Sequence, residues 1–136
     1  VAATPVDPPE SRPVVLIVDD EDMIRTLVRS LLEANGYRVV EAENGRRAVE
    51  VLQQDLEDVD LLITDVRMPG LTGPELVRQM RAERPALPII FISGYTGDAE
   101  MDHPACRATE YIAKPFPLPN LLAAVRRLLA RNPLLV

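Results

Sequence analysis

The chain has 136 residues, 47% apolar and 26% charged, with 15 Lys and Arg against 21 Asp and Glu for a net charge of −6. This ordinary globular composition excludes disorder, the acidic balance argues against nucleic acid as the main partner, and a single cysteine, Cys106, excludes a disulfide scaffold. No apolar run approaches the roughly 20 residues that span a bilayer, and no export signal is visible, so a soluble cytoplasmic domain without membrane contact is predicted.

Residues 1–13 carry four prolines, which suit neither helix nor central strand, and read as a linker. The domain proper is predicted over 14–131, with a short tail at 132–136 opened by Asn132-Pro133. The first residue is Val rather than Met, the expectation for an excised piece of something longer or for a processed chain. Val14 to Val18 is a β-branched apolar run, the pattern of a strand buried on both faces, and Asp19 and Asp20 end it. Ile24, Leu27, Val28, Leu31 and Leu32 then form one stripe of an amphipathic helix, stopped by Asn35-Gly36. Arg38 to Glu41 suits an outer strand. Asn44 can cap the next helix, in which Ala48, Val49 and Leu52 face inward.

Leu61 to Thr64 is the third strand, closed by Asp65. Thr72-Gly73-Pro74-Glu75 is a capping box with proline in the first turn, opening a helix through Leu76, Val77 and Met80. Pro85 and Pro88 bracket its end, and Ile89 to Ile92 is the fourth strand, closed by Ser93. Gly97 and Pro104 confine the stretch after it to a short, irregular fourth helix. Tyr111 to Ala113 is a weak fifth strand before Lys114-Pro115. The last helix places Leu121, Leu122, Val125, Leu128 and Leu129 on one face. Strands alternating with helices predict an α/β fold of three layers, a parallel sheet covered on both faces.

Sites in open parallel sheets lie beyond the carboxyl ends of the strands. If the first and third strands are neighbours, Asp19, Asp20 and Asp65 converge at one mouth. Two like charges about 4 Å apart repel by roughly 4 kcal/mol at an effective dielectric of about 20. A divalent cation removes that penalty, and carboxylates without Cys or His favour Mg2+. Each aspartate taken alone reads more simply as a strand end or helix cap. Ser93 and Lys114 at two further strand ends shift the balance. Carboxylates, a small hydroxyl and a fixed cation together form a receptor for a phosphoryl group.

The elements Val-Asp19-Asp20-Glu, Thr-Asp65-Val-Arg-Met-Pro69-Gly70, Ile-Ser93-Gly94 and Tyr111-Ile-Ala-Lys114-Pro115-Phe116 resemble the receiver domain of two-component response regulators. The resemblance runs from about Val14 to Arg131. It implies a flavodoxin-like fold with five strands in the order 2-1-3-4-5. It implies a signalling domain rather than an enzyme. Asp65 is then the phosphoacceptor, Asp20 a direct Mg2+ ligand helped by Asp19, and the backbone carbonyl of Arg67 a further ligand. Ser93 and Lys114 would hold phosphoryl oxygens, Ser93 and Tyr111 would form the switch, and the Lys114-Pro115 bond would be cis. Arg67 and Tyr95 would flank the path of attacking water.

The implied partner is a histidine kinase or histidine phosphotransfer domain, with the chain itself a monomer or weak dimer. Phe-Ile-Ser-Gly-Tyr and the thin stretch after it look most like receivers at the C-terminus of hybrid sensor histidine kinases. His103 reads as a surface-loop residue and Cys106 as a small packing residue. Two rival readings are an interaction module that takes no phosphate and an aspartate-nucleophile phosphatase. A scaffold has no need of Asp20, Asp65, Ser93 and Lys114 together, and the phosphatase needs a cap for which there is no chain.

Overall fold

A computed structural model describes residues 12–55, 59–94 and 109–130. In chain order the elements are β1 (Val14–Val18), α1 (Asp22–Ala34), β2 (Arg38–Ala42), α2 (Gly45–Asp55), β3 (Val59–Asp65), α3 (Gly73–Glu83), β4 (Ile89–Ser93), β5 (Thr109–Ala113) and α4 (Leu118–Ala130). The five strands form one sheet in the order β2-β1-β3-β4-β5, and each neighbouring pair is parallel. This is the flavodoxin-like arrangement expected from the sequence. The short fourth helix expected over 97–108 lies outside the described residues, as do most of the proline-rich linker and the tail.

Alternate residues of a strand point to opposite faces, so the continuous apolar runs fill two separate cores. Leu16, Val18, Leu62 and Phe91 pack with Ala48 and Val51 of α2 and with Leu76, Val77 and Met80 of α3. On the other face, Val15, Ile17, Ile63 and Ile92 pack with Val28 and Leu32 of α1 and with Leu121, Val125 and Leu128 of α4. The helix stripes read from the sequence are for the most part the faces that are buried, but Leu27, expected on the stripe of the first helix, is 44% exposed, and Val28 and Leu32 carry the burial of α1. Leu122, expected on the inner face of the last helix, is only half-buried, and Ala124 is buried beside Leu121.

Local signals hold at several element ends. Thr72 Oγ1 accepts from the Glu75 amide at 3.3 Å, and the Glu75 carboxylate accepts from the Thr72 amide at 2.9 Å. The Asn44 side chain accepts from the Arg47 amide at 2.8 Å, and Gly36 takes the left-handed turn at φ +91°. Two strands begin two residues earlier than their apolar cores. β3 starts at Val59, where Asp60 Oδ2 accepts from the Val14 amide at 2.8 Å. β5 starts at Thr109, whose hydroxyl accepts from Arg81 at 3.1 Å, while Glu110 pairs with Arg127 at 2.6 Å. Asp60 interrupts the first extension and Thr109-Glu110 form the second, so a search for continuous apolar runs stops short of both. No helix among the described residues is long and apolar enough to cross a membrane.

Candidate functional site

The parallel register brings the strand ends level. Val18 pairs with Thr64, Asp65 with Ile92, and Ser93 with Ala113, so Asp19, Asp65, Ser93 and Lys114 end adjacent strands. Asp65 is the last residue of β3 and Asp19 follows β1. Both are buried carboxylates, while the other buried side chains among the described residues are nearly all apolar. Lys114 Nζ lies 3.2 Å from Asp65 Oδ2, 3.2 Å from Asp19 Oδ2 and 2.9 Å from Glu21 Oε1. The Lys114 amide donates to the Ser93 carbonyl at 2.7 Å, which ties the lysine to the end of β4. The Lys114-Pro115 bond is cis, as the resemblance implied.

Close packing fixes Asp65 from beneath. The Gly73 amide donates to the Val66 carbonyl at 3.0 Å, and a Cβ on Gly73 would stand 2.3 Å from the Asp65 carbonyl oxygen. Only glycine allows the start of α3 to approach the Asp65 backbone so closely. Asp65 Oδ1 accepts from the Arg67 amide at 3.3 Å, and the Val66 amide donates to Ile92 O at 3.0 Å.

Burial raises the Asp19 carboxyl above its usual 3.8, and the nearby Asp65 charge raises it further; the Glu21 amide and Lys114 offset this only in part. Burial works the other way on the Lys114 ammonium, but Glu21, Asp19 and Asp65 outweigh it, so the lysine is raised and stays charged. One ammonium therefore faces three carboxylates. Oxygens of Asp19, Glu21 and Asp65 all lie within 4.8 Å of one another. Asp19 Oδ2 is buried and accepts no hydrogen bond; its 3.2 Å contact with Lys114 is an ion pair without hydrogen-bond alignment. An orphaned buried carboxylate oxygen within an all-oxygen donor set fits a hard cation such as Mg2+.

Asp19, Asp65 and Lys114 thus come together. Asp20 is exposed and lies outside the three-carboxylate group, where Glu21 stands instead. The alternating Asp19-Asp20-Glu21 run offers no sequence signal for which acids turn inward. Ser93 is half-buried at the end of β4, and Arg67 is exposed. Tyr111 is 46% exposed, and its ring stacks on Phe91, with centroids 5.4 Å apart and an interplanar angle of 15°. Beside it, Ile112, Phe116, Asn120 and Arg127 help line a cavity of about 480 Å³ between β5 and α4. Tyr95, His103 and Cys106 lie outside the described residues.

The model of the response regulator receiver domain matches residues 15–126. Over 119 residues the chain is 37% identical to the sensor kinase CckA of Brucella abortus, covering 87% of this chain and 13% of that protein. It spans only 13% to 51% of the length of such curated relatives. Among solved structures, a response regulator receiver domain protein from Clostridium thermocellum superposes with a TM-score of 0.80 at 28% identity, covering 91% of this chain and 99% of that one. The response regulator TrrA of Thermotoga maritima, solved in complex with Mg(2+)-BeF, superposes with a TM-score of 0.75 at 32% identity, covering 85% and 98%.

Proposed function

Because the chain belongs to the response regulator receiver domain family of two-component signalling, we propose that it accepts a phosphoryl group on Asp65 from a phosphohistidine. An Asp65 carboxylate oxygen attacks phosphorus, the P–N bond breaks, and the imidazole leaves, giving an aspartyl phosphate. Lys114 is already within ion-pair reach of Asp65 and can follow a phosphoryl oxygen as charge spreads over it. Ser93, one strand away, donates its hydroxyl to another phosphoryl oxygen. Its movement makes room for the Tyr111 ring to turn inward, a two-state coupling of charge to packing.

Asp19, Glu21 and Asp65 would hold Mg2+, with Asp20 and the Arg67 carbonyl as the further ligands that the family pattern suggests. When bound, Mg2+ supplies neutralisation of the transferring group's charge. The observation that carries this reading is Lys114 Nζ lying 3.2 Å from both Asp19 and Asp65 at the carboxyl edge of the sheet. A pure interaction module would keep those two carboxylates buried together for no return.

Likeness to a sensor kinase supports a receiver appended to a hybrid histidine kinase. A kinase or phosphotransfer domain is then the donor, and the domain is cytoplasmic, monomeric or weakly dimeric, and not itself a nucleic-acid binder. Incubation with acetyl phosphate and Mg2+ is expected to add about 80 Da, one phosphoryl group, mapped by peptide analysis to Asp65 and not formed when the metal is chelated beforehand. No adduct, or an adduct on another residue, overturns the assignment.

A further inference from the structure

We infer that Arg25, on the first turn of α1, is a positioning residue that seats the Asp19 carboxylate by gripping the main chain at Asp19. The inference rests on the proposed phosphoacceptor reading and adds to it a residue that touches neither metal nor phosphoryl group.

Asp19 lies just past the end of β1, where no ladder holds its carbonyl. Its amide donates to Ala42 O of β2 at 3.2 Å, while its carbonyl accepts from Arg25 Nη1 at 2.6 Å. The two sides of one residue are thus anchored to β2 and to α1. With its backbone held, Asp19 presents Oδ1 to the Glu21 amide at 2.9 Å and leaves Oδ2 facing the site. The guanidinium is itself held. Nε donates to Glu41 Oε1 of β2 at 3.2 Å, and Nη2 donates to Asp22. Glu41 uses its second oxygen on Arg29 at 2.6 Å, so neither end of this bridge is loose. The Arg25 side chain is only 14% exposed, against 90% for Asp22. It lies in a partly desolvated position where a three-way planar fork does what one ammonium cannot.

Charge and position make opposite predictions here. As a mere positive charge near three carboxylates, Arg25 would oppose a divalent cation, and its removal would tighten binding. As the holder of Asp19, its loss would weaken binding, because residues behind metal ligands commonly set affinity by about 10- to 100-fold.

The test uses the whole chain, with Mg2+ as the probe, in the Arg25→Lys, Arg25→Gln and Glu41→Gln variants, titrated well below each variant's unfolding midpoint. Exchange of the Glu21 amide, read by NMR in metal-free protein, reports whether Asp19 still accepts from it. Both Arg25 variants are expected to weaken Mg2+ binding by about tenfold and to speed exchange of the Glu21 amide. Glu41→Gln, which loosens the fork without touching Asp19, should act in the same direction by a smaller factor. Unchanged affinity in Arg25→Lys with tighter binding in Arg25→Gln reduces the residue to its charge and overturns the inference. Unchanged Glu21 exchange in all three variants overturns it too. If the unmodified protein takes no Mg2+, the phosphoacceptor reading fails, and the Glu21 amide alone then decides the role of Arg25.

Discussion

β3 and β5 each deliver one half of the Asp65–Lys114 pair, yet they are built in opposite ways. β3 lies in the middle of the sheet between β1 and β4, and six of its seven residues are buried. β5 forms the edge beyond β4, and none of its five residues is buried. Asp65 therefore sits on a strand with much to lose by moving. The lysine sits beside one with less, next to the exposed Tyr111 and the cavity against α4. Elements with few buried contacts are the ones that can shift at small cost. On the proposed function, the nucleophile stands on the rigid strand, and the lysine and the switch tyrosine stand on or beside the loose one.

The largest effects should separate the two strands by what they do. Asp65→Asn should abolish labelling by acetyl phosphate while leaving the fold intact, because the nucleophile is gone. Lys114→Ala should leave labelling at about one-hundredth of the original rate, in line with the loss of one charge-stabilising donor. Rates followed by mass spectrometry check both, and equal residual rates would erase the distinction.

Stability should divide the same way. Ile63→Ala empties a fully buried site in β3 and is expected to cost about 2–5 kcal/mol. Ile112→Ala removes a half-buried side chain of β5 and should cost about 1 kcal/mol. Urea unfolding of the two variants checks the contrast, and similar costs would show β5 to be held as firmly as β3.

The smallest effect sharpens the rigid side. Burial and Asp65 raise the Asp19 carboxyl above 3.8, so the native state holds that proton more tightly than the unfolded chain does. Metal-free stability contributed by this group therefore falls as pH climbs from 3.8 through the folded-state value. Asp19→Asn should remove that slope and raise the metal-free melting temperature at neutral pH by about 1–3 °C while weakening Mg2+ binding. Thermal unfolding in chelator across acidic and neutral pH checks it; a lower melting temperature at neutral pH would show that the Lys114 pairing outweighs burial.

The strands, the helix stripes, the Thr72–Glu75 box, the Asn44 cap and the Gly36 turn were legible in the sequence, because each depends on residues within a few positions of one another. Alternation of those elements also determined the layering, and the residues closing four strands pointed to one edge of the sheet. Only the tertiary structure decided which acids in the Asp19-Asp20-Glu21 run gather around Lys114. That choice depends on Ala42 and Arg25 holding the Asp19 backbone and on a lysine 93 residues away from Glu21 in the chain. Side-chain direction after a strand end is set by such distant partners, and no local pattern of residue types encodes it.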